Sequence, residues 1–258
     1  MAHEIKNFIF CVDEMIYDEC LRRHYIDFIN STTKAYFYFF THNCSMSRKE
    51  LKELLLSFGI NTSLDSVLTP NYLLLGYCKK IYSSFTIYPI VDNTICHDFY
   101  DFHIHNIKIS PNEFDLISLS TINLDKHHKE LIQNSNAPIV LSSNLCKTRR
   151  LNCANCNLNC YIKTLKLNYK NRLIIPDAPP FFNTFLLFKN LNLNPKESLL
   201  IMNRLKYDYS KLQDAGSKLA LIIKNNSISE YLNSSYDADI VVNDLDNLLY
   251  FFNKKEKA

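Results

Sequence analysis

The sequence predicts an α/β protein whose core is a doubly wound, mainly parallel sheet. Three observations carry that reading. Short apolar runs of strand length alternate with amphipathic segments of helix length along most of the chain, which is the rhythm of a parallel sheet covered on both faces. Helix ends are punctuated: Ser47 and Glu50 have the spacing of a capping box, and Gly59 and Gly216 stand where helices close. At 258 residues, 47% of them apolar, the chain can bury one large core or two modest ones.

Taken in order, residues 8–10 form the first apolar run, from whose end Cys11 and Asp13 emerge. Residues 20–30 follow as a helix with Leu21, Tyr25, Phe28 and Ile29 on its apolar face, its start favoured by Asp18 and Glu19. Residues 35–40 are a second strand ending at Thr41, His42 and Asn43; its aromatic run reads as core rather than as a base-stacking platform. The capping box opens a helix with Leu51, Leu54, Leu55 and Phe58 on one face, and a further helix over 71–80 follows Pro70. A central block, 81–172, holds strands over 85–91, 115–120 and 137–143 and a helix over 126–133. The last third resumes the earlier rhythm with strand 172–175, helix 180–190, strand 198–202, helix 207–215 and strands 219–223 and 239–242. The expected organisation is a core made of 1–80 and 173–258, with 81–172 inserted as an α/β cap.

Charge and cysteine content narrow the function classes. A net charge of +3 and a pI near 8.3 are too mild to specify a nucleic-acid partner. No run approaches the length of an uncharged membrane span, and the first residues have no long apolar segment behind them, so the expectation is a soluble cytoplasmic protein without signal peptide or membrane helix. Nine cysteines without a secretory signal point to a reducing compartment, where thiols are buried, bind metal or react. Abundant Asn, Lys, Ile and Tyr resemble the usage of an AT-rich genome and give scattered Asn and Lys little functional weight.

The stretch from Asn7 to Tyr17 is where chemistry is expected, because ligands of an open α/β sheet bind at the carboxyl ends of its strands. Phe10, Asp13, Ile16 and Tyr17 match the first motif of the haloacid dehalogenase superfamily of phosphohydrolases, which this sequence resembles. The segment from Phe39 to Ser45 resembles the second motif, in the form found before a large α/β cap, and Leu199 to Asp208 resembles the fourth. Ala215-Gly216, the stretch 174–180 and the run 239–242 also fall in the family's order, so the resemblance spans nearly the whole chain.

The resemblance implies roles and exposes departures. In the family an aspartate attacks phosphorus, the residue two further on is the acid and base, a Thr binds phosphate, a Lys steadies both, and carboxylates hold Mg²⁺. Here Cys11 stands in the nucleophile's place, Asp13 is the acid and base, Thr41 binds phosphate, and Asp177 falls where the Lys belongs. Asn43 and Arg204 are the implied substrate-binding residues, and Asn203 and Asp208 the implied ligands of a weakened Mg²⁺ site. Thiolate is a poor ligand for a hard ion. As a nucleophile in its own right Cys11 lacks the Arg that thiol phosphatases place after five residues, and its nearest charged neighbours, Asp13 and Glu14, are acidic.

A second feature stands apart from the resemblance. Cys146, Cys153, Cys156 and Cys160 have a spacing that suits a tetrahedral thiolate site for Zn²⁺ or an iron–sulfur cluster, against free thiols in a tolerant loop. Lys147, Arg149, Arg150, Lys163, Lys166, Lys170 and Arg172 make the same region basic; a solvated face or an anionic partner accounts for it. His103, His105, His127 and His128 have no metalloprotease spacing and read as ordinary histidines. Three functional readings follow: a catalytically degenerate binding or regulatory protein with a small phosphorylated ligand or protein partner, a Mg²⁺-dependent phosphohydrolase with an altered site, and a Zn²⁺ or iron–sulfur scaffold. Membrane and nucleic acid are not expected partners.

Overall fold

The structure, a computed structural model, describes residues 5–32, 35–41, 43, 46–90, 98–99, 114–119, 124–141, 168–174, 188, 191–203, 210–223, 231 and 237–253. Among them the chain forms β1 (Asn7–Cys11), α1 (Asp13–Tyr17), α2 (Glu19–Ser31), β2 (Tyr36–Phe40), α3 (Arg48–Ser57), β3 (Val67–Leu68), α4 (Pro70–Ile81), β4 (Ile87–Ile90) and β5 (Leu116–Leu119). Then follow α5 (Lys126–Asn134), β6 (Ile139–Leu141), β7 (Leu173–Ile174), β8 (Ser198–Met202), α6 (Ser210–Asp214), β9 (Lys218–Ile222), β10 (Ile240–Val242) and α7 (Leu245–Asn253). The α/β class read from the sequence holds. The strands form two sheets, ordered β10-β9-β8-β1-β2-β3 and β4-β5-β6-β7, and every pairing is parallel.

The chain divides into two compact units, one of Met1–Thr41, Leu51–Leu68 and Leu187–Ala258, the other of His42–Glu50 and Thr69–Leu186. Both boundaries differ from the expected cap of 81–172. At the first, α4 belongs to the second unit because Leu74, Leu75 and Cys78 pack on Ile87, Leu116 and Val140. At the second, Leu173–Ile174 does not resume the core sheet but pairs with β6, Leu173 beside Ile139 and Ile174 beside Val140. Arg172 selects that partner. Its Nε and Nη2 donate to the Ala137 carbonyl at 3.0 and 2.8 Å, its Nη1 to the Ile132 carbonyl at 3.1 Å, and its own carbonyl accepts from the Ile139 N–H at 2.8 Å.

In the first unit β1 is buried along its whole length, as a central parallel strand must be. Phe10, fully buried, is the hub of an aromatic cluster. Its ring lies edge-on to Tyr25 at 5.1 Å and to Phe28 at 5.9 Å, and is stacked with Phe37 at 6.1 Å and Phe39 at 5.8 Å. The aromatic run of β2 is therefore core only at its end: Phe39 and Phe40 are buried, Phe37 and Tyr38 half-buried, and Tyr36 is exposed. Behind β1, α1 is too short to hold itself by its own hydrogen bonds. Arg22 of α2 closes it, donating from Nε to the Met15 carbonyl at 3.0 Å and from Nη2 to the Ile16 carbonyl at 3.2 Å while its guanidinium lies over the Phe58 ring at 3.9 Å.

Helix ends obey local chemistry. The Asp18 carboxylate accepts from the Leu21 N–H at 2.9 Å to cap α2. Ser47 and Glu50 form the expected reciprocal box, with Ser47 N donating to Glu50 Oε2 at 2.8 Å and Glu50 N to Ser47 Oγ at 3.2 Å. Gly59 and Gly216, at φ of 86° and 100°, close α3 and α6 by the same pair of bonds: glycine N–H back to the third residue before it, and the next N–H one residue further back. In the second unit the fully buried Asp98 joins two helix starts, accepting from the Arg48 N–H at the first residue of α3 and from the Thr69 hydroxyl that caps α4, both at 3.0 Å. The second sheet is covered on both faces, by the α4 cluster and by one centred on Ile117, Leu131, Ile132 and Ile139.

Two consequences are measurable. Phe10→Ala removes the hub of the first unit and is expected to cost about 3–5 kcal/mol, read as a shift of the urea midpoint. Arg22→Ala opens two carbonyl hydrogen bonds and a cation–π contact and is expected to cost about 2 kcal/mol, with Arg22→Lys recovering only part, by the same measurement.

Candidate functional site

Parallel pairing brings the ends of β8, β1 and β2 to one edge of the first sheet. Cys11 is the last residue of β1, level with Phe40, and lies one residue past the pairing of Phe10 with Ile201. Its thiol is buried, at 7% exposure. The Val12 N–H donates to the Phe40 carbonyl at 2.9 Å, so the strand stays tied to β2 for one more residue before α1 begins at Asp13. Thr41 follows β2 and is held from the other side, its N–H donating to the Leu68 carbonyl of β3 at 3.3 Å. From these two anchored positions the Thr41 hydroxyl donates to Asp13 Oδ1. On the opposite flank of β1, Asn203 follows the buried Met202 of β8 and is half-buried.

The structure thus brings Cys11, Asp13, Thr41 and Asn203 to one strand edge. Asn43 clusters with the second unit, where its carbonyl accepts from the Met46 N–H at 3.4 Å in the turn that leads to the capping box. Asp177, Arg204 and Asp208 lie outside the described residues, as do Cys146, Cys153, Cys156 and Cys160 and the histidines His103 and His105. Sequence reading missed Arg22, whose side chain holds the turn carrying Asp13. Its acceptors are backbone carbonyls, which leave no trace in residue type.

The chemistry available at this edge is that of one carboxylate and one hydroxyl. Asp13 accepts a hydrogen bond from the Thr41 hydroxyl, which fixes the orientation of its carboxylate. The hard ion used by phosphohydrolases of this architecture requires oxygen donors, and the described residues offer a thiol, an amide and a single carboxylate already bound to Thr41. Asp208, the other implied ligand, lies outside the described residues. Among the described residues no group of three or more His, Cys, Asp or Glu is placed to hold a metal ion. Among them, too, no helix is long and apolar enough to cross a membrane.

No protein-family model matches the sequence, and no curated protein matches it significantly. Solved structures do match. The 4-nitrophenylphosphatase from Thermotoga maritima superposes with a TM-score of 0.75 at 16% identity, over 95% of this chain and 96% of that one. The p-nitrophenyl phosphatase from Archaeoglobus fulgidus gives 0.73 at 11% identity, over 96% and 99%. NagD from E. coli K-12 gives 0.73 at 12% identity, over 93% and 97%. These identities are far below those at which an activity transfers, and what they establish is architecture: the chain has the fold of the haloacid dehalogenase-like phosphatases.

Proposed function

We propose that this chain is a catalytically degenerate protein of phosphohydrolase fold, a binding or regulatory protein whose strand edge receives a small phosphorylated ligand without cleaving it. The observation that supports this reading is the buried thiol of Cys11 at the end of β1, beside an intact Asp13–Thr41 pair. A carboxylate at that position would attack phosphorus and bind Mg²⁺; a thiol needs neighbouring cations to become a nucleophile, and the adjacent charged residues, Asp13 and Glu14, are acidic. Asn203 removes a second negative oxygen donor, and Asp177 puts a negative charge where the fold family has a Lys. Asp13 and Thr41 are kept, whereas the nucleophile, the Lys and one metal carboxylate of the resembled family are replaced.

A second reading keeps catalysis. The Asp13–Thr41 hydrogen bond favours it, because an acid/base carboxylate held in place serves hydrolysis directly. In this reading Asp13 protonates the leaving group, Thr41 binds phosphate, and Asp208 contributes to a weakened Mg²⁺ site.

Phosphate release from p-nitrophenyl phosphate and a panel of phosphomonoesters with Mg²⁺ decides between them. The natural chain is expected to be silent, and the triple variant Cys11→Asp, Asp177→Lys, Asn203→Asp to turn over. Adding Asp13→Asn to that variant is expected to lower its rate by about 100-fold or more. Mg²⁺-dependent turnover by the natural chain, abolished by Asp13→Asn, establishes the second reading instead. A separate measurement addresses binding: inorganic phosphate is expected to raise the melting temperature of the natural chain, and Thr41→Val to remove that rise.

A further inference from the structure

The carboxylate of Asp13 stands at the start of the short helix α1, so whatever fixes α1 also fixes the carboxylate. On the strand side α1 is held by the Val12 N–H, bonded to the Phe40 carbonyl at 2.9 Å, and by the burial of Val12 and Met15 against the core. Its other end has no such support of its own. A helix of five residues cannot bond its last four carbonyls internally. Two of them, those of Met15 and Ile16, are taken by the planar fork of Arg22, from Nε at 3.0 Å and Nη2 at 3.2 Å.

Arg22 is aimed in its turn. Its guanidinium lies over the Phe58 ring, 3.9 Å from the centre. Phe58 is carried on a helix end that is itself tied down: its N–H bonds to the Leu54 and Leu55 carbonyls at 3.2 and 3.1 Å, Gly59 closes α3 at a φ of 86°, and the Ile60 N–H returns to Leu55 at 2.9 Å. A cation at the carboxyl end of a helix is favoured besides. An unbroken run of contacts thus leads from the end of α3 through Arg22 and α1 to Asp13, and none of its members before Asp13 belongs to the strand edge. Burial holds α1 against the core, and the fork fixes its rotation there.

We infer that Arg22 and Phe58 are positioning residues of this site: from the carboxyl end of α3 they set the rotation of α1, and with it the place at which Asp13 accepts from Thr41. The significance for a ligand rests on the proposed function, whereas the geometry is testable without one.

The test uses the full chain with ¹³C-labelled aspartate at neutral pH. The Asp13 Cγ resonance, assigned with Asp13→Asn, reports the hydrogen bond from Thr41 and is displaced in Thr41→Val. Arg22→Lys keeps the charge and loses the fork; Phe58→Leu keeps apolar bulk and loses the ring. Each is expected to displace the resonance in the same direction as Thr41→Val, and neither to displace it further once Thr41→Val is present. Leu131→Ala, a core truncation in the second unit that lowers stability, is expected to leave it in place. An unmoved resonance in both single variants, equal displacements with and without Thr41, or a displacement in Leu131→Ala overturns the inference. Inorganic phosphate titrated into the same samples is expected to bind about threefold more weakly to Arg22→Lys and Phe58→Leu than to the natural chain. Failure of phosphate to bind the natural chain while the coupling to Thr41 persists counts against the proposed function and upholds the positioning.

Discussion

The first unit depends on β1 being hydrogen-bonded on both sides by strands of the same direction. Because β8 and β2 run parallel to it, all three end at the same edge, and residues separated by most of the chain become neighbours there. The register is not free to slip. A shift by one position would turn Phe8 and Phe10 away from Tyr25 and Phe28 and drive Asp13 toward the place now filled by the buried Val12. Aromatic packing behind β1 thus aims the carboxylate at its end.

How much of this was legible follows from how local each determinant is. The capping box at Ser47 and Glu50 and the closing glycines Gly59 and Gly216 were readable because their physics is contained in a few residues. The apolar runs that became β1, β8 and β9 were readable because strands buried on both faces have little other option. The two-residue β3 is too short to leave a pattern, and it owes its pairing with Phe39 and Phe40 to β2. Helix α7 was missed although Leu245 and Leu248 have helical spacing and the Asp244 carboxylate accepts from the Asn247 N–H at 2.7 Å; that signal was present. The sheet that β7 joins was not readable, because Arg172 chooses it through carbonyls 35 and 40 residues away. The same holds for Asp98, whose bonds reach back 50 and 29 residues.

At the site the sequence identified Cys11, Asp13, Thr41 and Asn203 by position, and the fold puts them on one edge. What residue type could not convey is their company: the hydrogen bond Thr41 donates to Asp13, and the clamp by which Arg22 fixes the short helix that Asp13 begins. Stability and chemistry are carried by different side chains. The rings around Phe10 and the guanidinium of Arg22 secure the scaffold from behind the edge. A sheet of this kind keeps its shape whatever residues its edge carries, so the fold fixes where a site lies and not what it does.

The strand order has a temporal side. Asn7 of β1 pairs with Ser198 of β8, and their side chains meet across 191 residues of intervening chain. The second sheet, by contrast, takes all four of its strands from one continuous stretch ending at Ile174. As the chain leaves the ribosome, the four described strands of that sheet are all present while β1, apolar from Phe8 to Cys11, still presents an unpaired edge. The last third of the polypeptide is what covers it, so a strand that ends fully buried spends its synthesis as an open edge of the kind that invites aggregation and chaperones.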